Sequence, residues 1–474
     1  MKLFVKMMVI VALAAMVVSP TMGAKERKLP AKAYISSAKI EIIGYAEKKE
    51  EARIVLAQAL LDTLFMHYGP HTDGYFWYSQ IKWDLAKEKA DLKERLKFVK
   101  EATAYADSLK WACGNKDIDK KYREKCEPLD EQMDSIKVSQ WREYYNDGID
   151  QIREVEEQME AVKVETDSSA LAFYQTRLDA IIDSCQDNMA IAVAIDSTDP
   201  KPFIGLATIN EKTGKFKPAI EYLKRALPNA EDRHVLLTSI AYDYVQDNDY
   251  CSAIPWFREY VDSMTANPQV MEDPGNRAAV IGTAHNLAIC YNNCKEYDNA
   301  AEMFGRILSF DPQDGTALVG VARYQQHRGR EASDSASANR TAGNEAALKD
   351  WQNVRDQRFD SARVLLGKAF ALDNSNCETA GEYGLMAAIL QKYDEAKVAF
   401  SRATEQCPSE VDHWVSLGDC DLQLRDWTGA TAAYEKVVEL APDNKAVWER
   451  LGDLYQQLGD SAKRAEVLKK LESM

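Results

Sequence analysis

The chain has 474 residues, of which 46% are hydrophobic and 28% are charged, and its formal net charge is −16. This composition is typical of a folded protein and excludes wholesale disorder. The acidic balance disfavours nucleic acid and anionic lipid surfaces, so an electrostatic partner is expected to be basic. The length allows about three ordinary domains of roughly 150 residues, or one elongated array of repeats.

The segment 1–24 has the form of a secretory signal peptide. Lys2 and Lys6 precede an apolar run at 7–18, and small residues follow at 21–24. The run of twelve residues would span about 18 Å as a helix, against roughly 30 Å for a bilayer core. We therefore predict cleavage and export to the periplasm or cell envelope of a Gram-negative bacterium, with no transmembrane segment afterwards.

Residues 25–128 are predicted to be helical. Ala52, Leu56 and Ala59 lie at steps of three and four, which places them on one face of a helix. A second stretch, 74–112, begins GYFWYSQI, the most aromatic segment of this region. Both stretches resemble degenerate copies of the repeat that occupies the C-terminal half.

Residues 129–199 are predicted to form a long helical hairpin. Apolar residues recur every three or four positions through 129–164, and Asp167, Ser168 and Ser169 interrupt the pattern before a second helix. The hairpin either packs on the remainder of the chain or forms a coiled-coil arm that reaches a partner. Oligomerisation through these long helices is a further possibility.

Residues 200–474 repeat with a period of about 34 residues. The positions that recur at this interval are Phe203 and Leu237, then Ala284 and Leu318, and finally Ala380, Trp414 and Trp448. The longer gaps between these groups predict insertions near 266–280 and 330–357. We expect the small, polar residues at 330–347 to form a mobile loop. About seven units fit this segment.

Each unit has the same internal pattern. In unit 411–444, Trp414, Leu417 and Gly418 lie on one helical face, Ala430 and Tyr434 lie on another, and a proline closes the unit. This pattern resembles the tetratricopeptide repeat. The resemblance implies an all-α, right-handed superhelical solenoid of antiparallel helix pairs. It also implies a non-enzymatic scaffold that binds a protein or peptide in its concave groove.

The family geometry implies that side chains of the first helix of each unit line this groove. The middle units supply neutral donors and one cation, namely His285, Asn286, Asn292, Asn293, Arg323 and Gln326. The later units supply carboxylates, namely Asp412, Asp419, Glu449 and Asp453. The first set suits a peptide backbone or carboxylate, and the second suits a basic segment. An ordinary solvated groove is the alternative.

Nine cysteines in an exported protein favour disulfides, with at least one thiol left over. Cys113 and Cys126 flank a hydrophilic loop. Cys377 and Cys407 lie at adjoining ends of one helix pair, and Cys251 and Cys294 at corresponding turns of adjacent units. We predict these three pairings, and the alternative for each cysteine is a small buried thiol.

The motifs of phosphate-binding loops, serine hydrolases and zinc proteases are missing from the sequence. We therefore predict a protein that is not an enzyme and that has no cofactor and no metal. The alternative is a ligand-binding or catalytic domain within residues 25–200, to which the repeats are an accessory.

Overall fold

The computed structural model describes residues 29–165 and 167–474, and the predicted signal peptide lies outside them. Every regular element of the described residues is a helix, so the predicted all-α class is confirmed. The chain divides into two compact units between Asp247 and Asn248. This division matches neither predicted boundary, at 128/129 or at 199/200, and the predicted domain bounds stay predictions.

The first unit is built from consecutive helices joined by short loops. They are α1 (Ala31–Lys48), α2 (Glu51–Tyr68), α3 (Thr72–Lys87), α4 (Leu92–Gly114), α5 (Lys120–Arg123), α6 (Cys126–Val164), α7 (Ser168–Ile195), α8 (Pro200–Lys212), α9 (Phe216–Ala226) and α10 (Arg233–Gln246). The long helices α6 and α7 pack against each other.

The core of the first unit joins the long hairpin to the helices on either side of it. Trp83 of α3 is fully buried in a cluster with Tyr144 of α6 and Ile191 of α7. Met189 of α7 shares a further cluster with Leu206 of α8. The hairpin therefore packs on its neighbours over part of its length, because these contacts bury large apolar side chains.

The second unit is also built from consecutive helices. Its helices are α11 (Tyr250–Thr265), α12 (Pro268–Glu272), α13 (Pro274–Asn293), α14 (Tyr297–Phe310), α15 (Gly315–Thr341), α16 (Glu345–Leu372), α17 (Cys377–Ile389), α18 (Tyr393–Gln406), α19 (Val411–Gln423), α20 (Trp427–Leu440), α21 (Lys445–Leu458) and α22 (Ser461–Glu472). From α13 onward the long helices alternate as first and second members of a pair.

From α13 onward, the turn inside each pair contains one residue in the left-handed conformation. In the second unit these residues include Lys295, Gly343, Gln391, Arg425 and Gly459, with φ between 60° and 74°. Just after α17, the backbone N–H of Gln391 donates a hydrogen bond to the carbonyl of Ala388, in the last turn of that helix. Such a residue satisfies terminal carbonyls and reverses the chain, so the second helix can fold back on the first.

Small residues of one helix pack against aromatic rings of another. A Cβ atom placed on Gly384 would lie 2.9 Å from the Phe400 ring, and one placed on Gly418 would lie 2.5 Å from the Tyr434 ring. Both distances are below an ordinary van der Waals contact. The glycines therefore set how closely these helices approach.

The expectation of a mobile loop at 330–347 is wrong. These residues continue α15 to Thr341, and α16 begins at Glu345, so the insertion lengthens both helices of one pair. Gly329, Ala332 and Ala336 recur at helical spacing and are buried against the partner helix. Small residues are common in loops, but here they allow two helices to pack closely along the extension.

Candidate functional site

A cleft of about 790 Å³ lies in the second unit between the first helices of consecutive pairs. It contains three of the predicted groove residues, Asn292, Arg323 and Gln326, which come from α13 and α15. Its opposite wall is formed by Glu378 and Glu382 of α17. The structure therefore brings these predicted side chains together on one concave surface.

Arg323 is held by two carboxylates. Its Nε donates to Glu382 Oε1 at 2.9 Å, and its Nη2 donates to Glu378 Oε1 at 2.6 Å. The hydrogen bond to Glu382 and the charges of both carboxylates raise the pKa of Arg323. Because its charge is already compensated, Arg323 is a poorer carboxylate receptor than the sequence analysis expected.

Three residues of this cleft's lining each have one buried polar atom with no hydrogen-bond partner among the described residues. These atoms are Nε2 of Gln326, whose side chain is 6% exposed, Nδ1 of His327 and Oε2 of Glu382. An unpaired buried amide or carboxylate oxygen costs free energy on the order of 1–3 kcal/mol. A ligand that offers both an acceptor and a donor would remove that cost if the side chains of Gln326 and Glu382 turn toward the cleft.

The other predicted residues of the middle units lie outside the lining of this cleft. His285 Nε2 lies 2.9 Å from Asp314 Oδ2, so the imidazole ties α13 to the start of α15. Asn293 donates from Nδ2 to the carbonyl of Ile289, and Asn286 is partly buried. The contact of His285 holds two helices in place, and that of Asn293 stays within its own helix.

A second cleft, of about 560 Å³, lies on the other side of α17. Glu378 and Glu382 also belong to its lining, together with Glu410 and the predicted Asp412. No lysine or arginine is part of that lining among the described residues. Glu378 and Glu382 are not among the predicted groove residues, although Glu378 occupies the same position in its unit as Asp412.

The remaining predicted carboxylates have different surroundings. Asp419 accepts hydrogen bonds from the hydroxyl of Tyr434 and from Arg450, which joins α19, α20 and α21. Glu449 and Asp453 are exposed on α21 and line neither cleft. The carboxylate of Asp419 is therefore already hydrogen-bonded within the protein, whereas Glu449 and Asp453 are open to solvent.

The structure bonds the sulfur atoms of Cys113 to Cys126, Cys251 to Cys294, and Cys377 to Cys407, with Cα–Cα separations of 5.5, 5.7 and 6.0 Å. Cys185, Cys290 and Cys420 are buried free thiols. Burial raises the pKa of Cys290 to about 11, so its thiol stays protonated at neutral pH. The pair Cys377–Cys407 lies in the wall of the second cleft.

The aromatic stretch in the first unit is largely interior. Phe76 and Tyr78 are buried, and Trp77 is partly buried. Tyr78 donates a hydrogen bond to Asp62, and its ring stacks on Tyr105 at 4.7 Å between centroids. These aromatic residues therefore contribute to core packing.

A carboxyl pair in the first unit, formed by a buried and a partly buried acid, was not predicted from the sequence. Asp243 of α10 is 5% exposed, and its side chain faces Glu211 of α8. Burial, together with the charge and hydrogen bond of Glu211, raises the pKa of Asp243 to about 7. Burial also raises the pKa of Glu211. The two acids belong to different repeats in a region with no marked acidic run, so no sequence signal was available.

Metal-binding clusters and membrane-spanning helices are both missing from the part of the chain that the structure describes. No group of three or more His, Cys, Asp or Glu side chains there has an arrangement that could hold a metal ion. Within 29–165 and 167–474, no helix is both long and apolar enough to cross a membrane.

Comparison with known families matches the C-terminal repeats of the chain. Residues 387–445 and 421–472 match the family model described as tetratricopeptide repeat. The comparison with curated proteins gave no match.

Solved structures with similar folds include three repeat proteins. A tetratricopeptide repeat protein from Parabacteroides merdae is 16% identical, covers 58% of this chain and 93% of its own, and gives a TM-score of 0.34. The C-terminal part of a repeat protein from Cytophaga hutchinsonii is 14% identical, and the match covers 56% of this chain and 93% of that one, with a TM-score of 0.39. MamA from Desulfovibrio magneticus is 16% identical, and the match covers 45% of this chain and 97% of that one, with a TM-score of 0.31.

Proposed function

We propose that this chain, a tetratricopeptide repeat protein, is a non-enzymatic interaction scaffold of the bacterial cell envelope. The family match supports a role in binding other proteins. The envelope location rests on the signal-peptide form of the segment 1–24. We further propose that the partner binds as a peptide or protein segment on the surface formed by α13, α15 and α17.

One observation carries the choice of surface. The cleft of about 790 Å³ joins Asn292, Arg323 and Gln326, and two residues of its lining, Gln326 and Glu382, each have a buried polar atom without a hydrogen-bond partner among the described residues. An extended main chain offers both the carbonyl acceptor that Gln326 Nε2 lacks and the N–H donor that Glu382 Oε2 lacks. The second cleft shares Glu382 but adds no unpaired buried donor from the described residues.

Photocrosslinking in cells tests this proposal. A photoreactive amino acid at position 323 would be compared with one at Val398, an exposed residue of α18 that lines neither cleft. We expect a defined crosslinked partner in the envelope fraction from position 323, and much less from position 398. Equal capture from both positions, or capture of cytosolic proteins alone, would contradict the proposal.

A further inference from the structure

The two clefts of the second unit form one surface because they share Glu378 and Glu382. We call this surface the shared-glutamate groove and define it by Arg323, Gln326, Glu382, Leu385 and Asp412. The first cleft lies between α15 and α17, and the second lies between α17 and α19. A segment that enters one cleft can therefore continue into the other.

The charge of the groove is uneven. Four carboxylates line the second cleft, and Arg323, reaching across from α15, is the cation that pairs with Glu378 and Glu382. Glu410 and Asp412 are exposed and form no ion pair with a described residue. Arg330 lies two turns further along α15, at the far end of the first cleft. The end near α19 therefore keeps an excess of negative charge, which favours a cation.

Apolar surface accompanies this charge. Leu385 of α17 is 45% exposed and lines the second cleft beside Phe400. Ile389, one turn further along the same helix, is also exposed. A metal ion or a simple polyamine would leave this apolar surface in water, whereas a chain with alternating apolar and basic side chains would cover it.

The unmet hydrogen bonds indicate the same class of ligand. Gln326 Nε2 requires an acceptor, and Glu382 Oε2 requires a donor. A polyamine supplies donors alone, whereas a peptide main chain supplies both. The buried amide is independent of the acidic cluster, since it lies on α15, across the first cleft from the glutamates.

We propose that the shared-glutamate groove binds an extended basic segment, in which Lys or Arg residues face Glu410 and Asp412 and an apolar residue covers Leu385. This inference rests on the proposed function and specifies its partner as a basic, partly apolar peptide segment. It replaces the expectation that Arg323 captures a ligand carboxylate, because Glu378 and Glu382 already hold that guanidinium.

Fluorescence anisotropy with labelled peptides and the full chain tests the proposal. The probes are three peptides of equal length, in which Lys alternates with Val, Glu alternates with Val, or Lys alternates with Ser. We expect the Lys–Val peptide to bind most tightly and its affinity to fall with salt. Absence of binding by this peptide, or equal binding of the Glu–Val peptide, would overturn the inference.

Matched variants separate the groove from general attraction to an acidic protein. Glu410→Gln with Asp412→Asn removes two charges from the groove, and Glu449→Gln with Asp453→Asn removes two from α21. We expect the first double variant to weaken Lys–Val binding by about tenfold and the second by less than about twofold. Equal weakening would overturn the inference.

A second pair of variants tests the apolar contact. Leu385→Ser is expected to weaken binding of the Lys–Val peptide but not of the Lys–Ser peptide. Val398→Ser, on α18 outside both clefts, is the control. If Leu385→Ser changes nothing, or if spermine displaces the Lys–Val peptide completely at equal charge concentration, the groove takes a small cation and the inference is wrong.

Failure here is distinguishable from failure of the proposed function. Strong crosslinking from position 323 to a neutral or acidic segment would leave the scaffold role standing and remove the basic ligand. Equal capture from positions 323 and 398 would remove the scaffold role on this surface, whatever the peptides do.

Discussion

The motif LGD occurs in two consecutive units, and its two glycines are expected to respond oppositely to alanine. A Cβ at Gly418 would lie 2.5 Å from Cε1 of Tyr434, whereas a Cβ at Gly452 would lie 3.4 Å from Cγ1 of Val467. Tyr434 is fully buried, and its hydroxyl is bonded to Asp419 and Arg450, so the ring cannot move aside without breaking those contacts.

The expected magnitudes follow from two opposing effects. Alanine in place of glycine inside a helix gains about 1 kcal/mol of helix propensity. Overpacking a well-filled interior costs about 1–3 kcal/mol. Gly452→Ala should therefore stabilise its region by up to about 1 kcal/mol, because its nearest neighbour is almost at an ordinary contact distance. Gly418→Ala should destabilise its region by up to about 2 kcal/mol, because the free-energy cost of overpacking exceeds the gain in helix propensity.

Native-state hydrogen exchange is the suitable assay, since repeat arrays unfold segment by segment and a single global transition would average the two regions. Exchange would be followed in peptides covering 411–440 and 445–472. We expect faster exchange in the first region for Gly418→Ala and slower exchange in the second for Gly452→Ala. Equal effects, or greater protection with Gly418→Ala, would refute the packing argument.

Three further outcomes are expected. Because burial and Glu211 raise the pKa of Asp243 to about 7, the folded state retains a proton that the unfolded chain releases near pH 4, and wild-type stability falls as pH rises between these values. Asp243→Asn should therefore raise the free energy of unfolding more at pH 8 than at pH 4, and the difference between the two changes should be at most about 4 kcal/mol. An equal change at both pH values would contradict this expectation. Gln391 has a φ of 61°, so Gln391→Gly should stabilise the folded protein by about 0.5–1 kcal/mol, whereas Gly214→Ala, at a φ of 70°, should destabilise it. Urea titration measures both changes, and the same sign for both variants would contradict this expectation. Replacing Cys377 and Cys407 by serine should lower the free energy of unfolding by roughly 3–4 kcal/mol, because their disulfide closes a separation of 30 residues. Non-reducing peptide maps of the wild-type protein should show the three disulfides, and nine free thiols would contradict them.

The repeat period predicted most of the second unit because the same packing problem is solved in each pair. Large residues such as Tyr434 need a glycine opposite, and this need recurs from one repeat to the next whatever the surface residues are. The family prediction is confirmed for 387–472. The helices of 31–114 could be anticipated less well, because their spacing follows the pattern only in part.

The candidate site was only partly predictable. Family geometry placed Arg323 on the concave face, but its partners Glu378 and Glu382 are 55 and 59 residues away in sequence. The insertion between them was expected to be a loop, so the relative placement of α15 and α17 could not be derived. Asp419 shows the converse error, since it occupies the position expected to face a ligand but is taken by Tyr434 and Arg450.

The central claim is that a partner occupies the surface between α15 and α17. Its most direct test is the affinity of the crosslinked partner for purified wild-type chain and for Gln326→Leu, with Val398→Ala as control, by isothermal titration calorimetry. The amide of Gln326 is predicted to gain its acceptor from the partner, so Gln326→Leu should weaken binding by about tenfold and Val398→Ala should not. Unchanged affinity with Gln326→Leu, or equal loss with both variants, would contradict the claim.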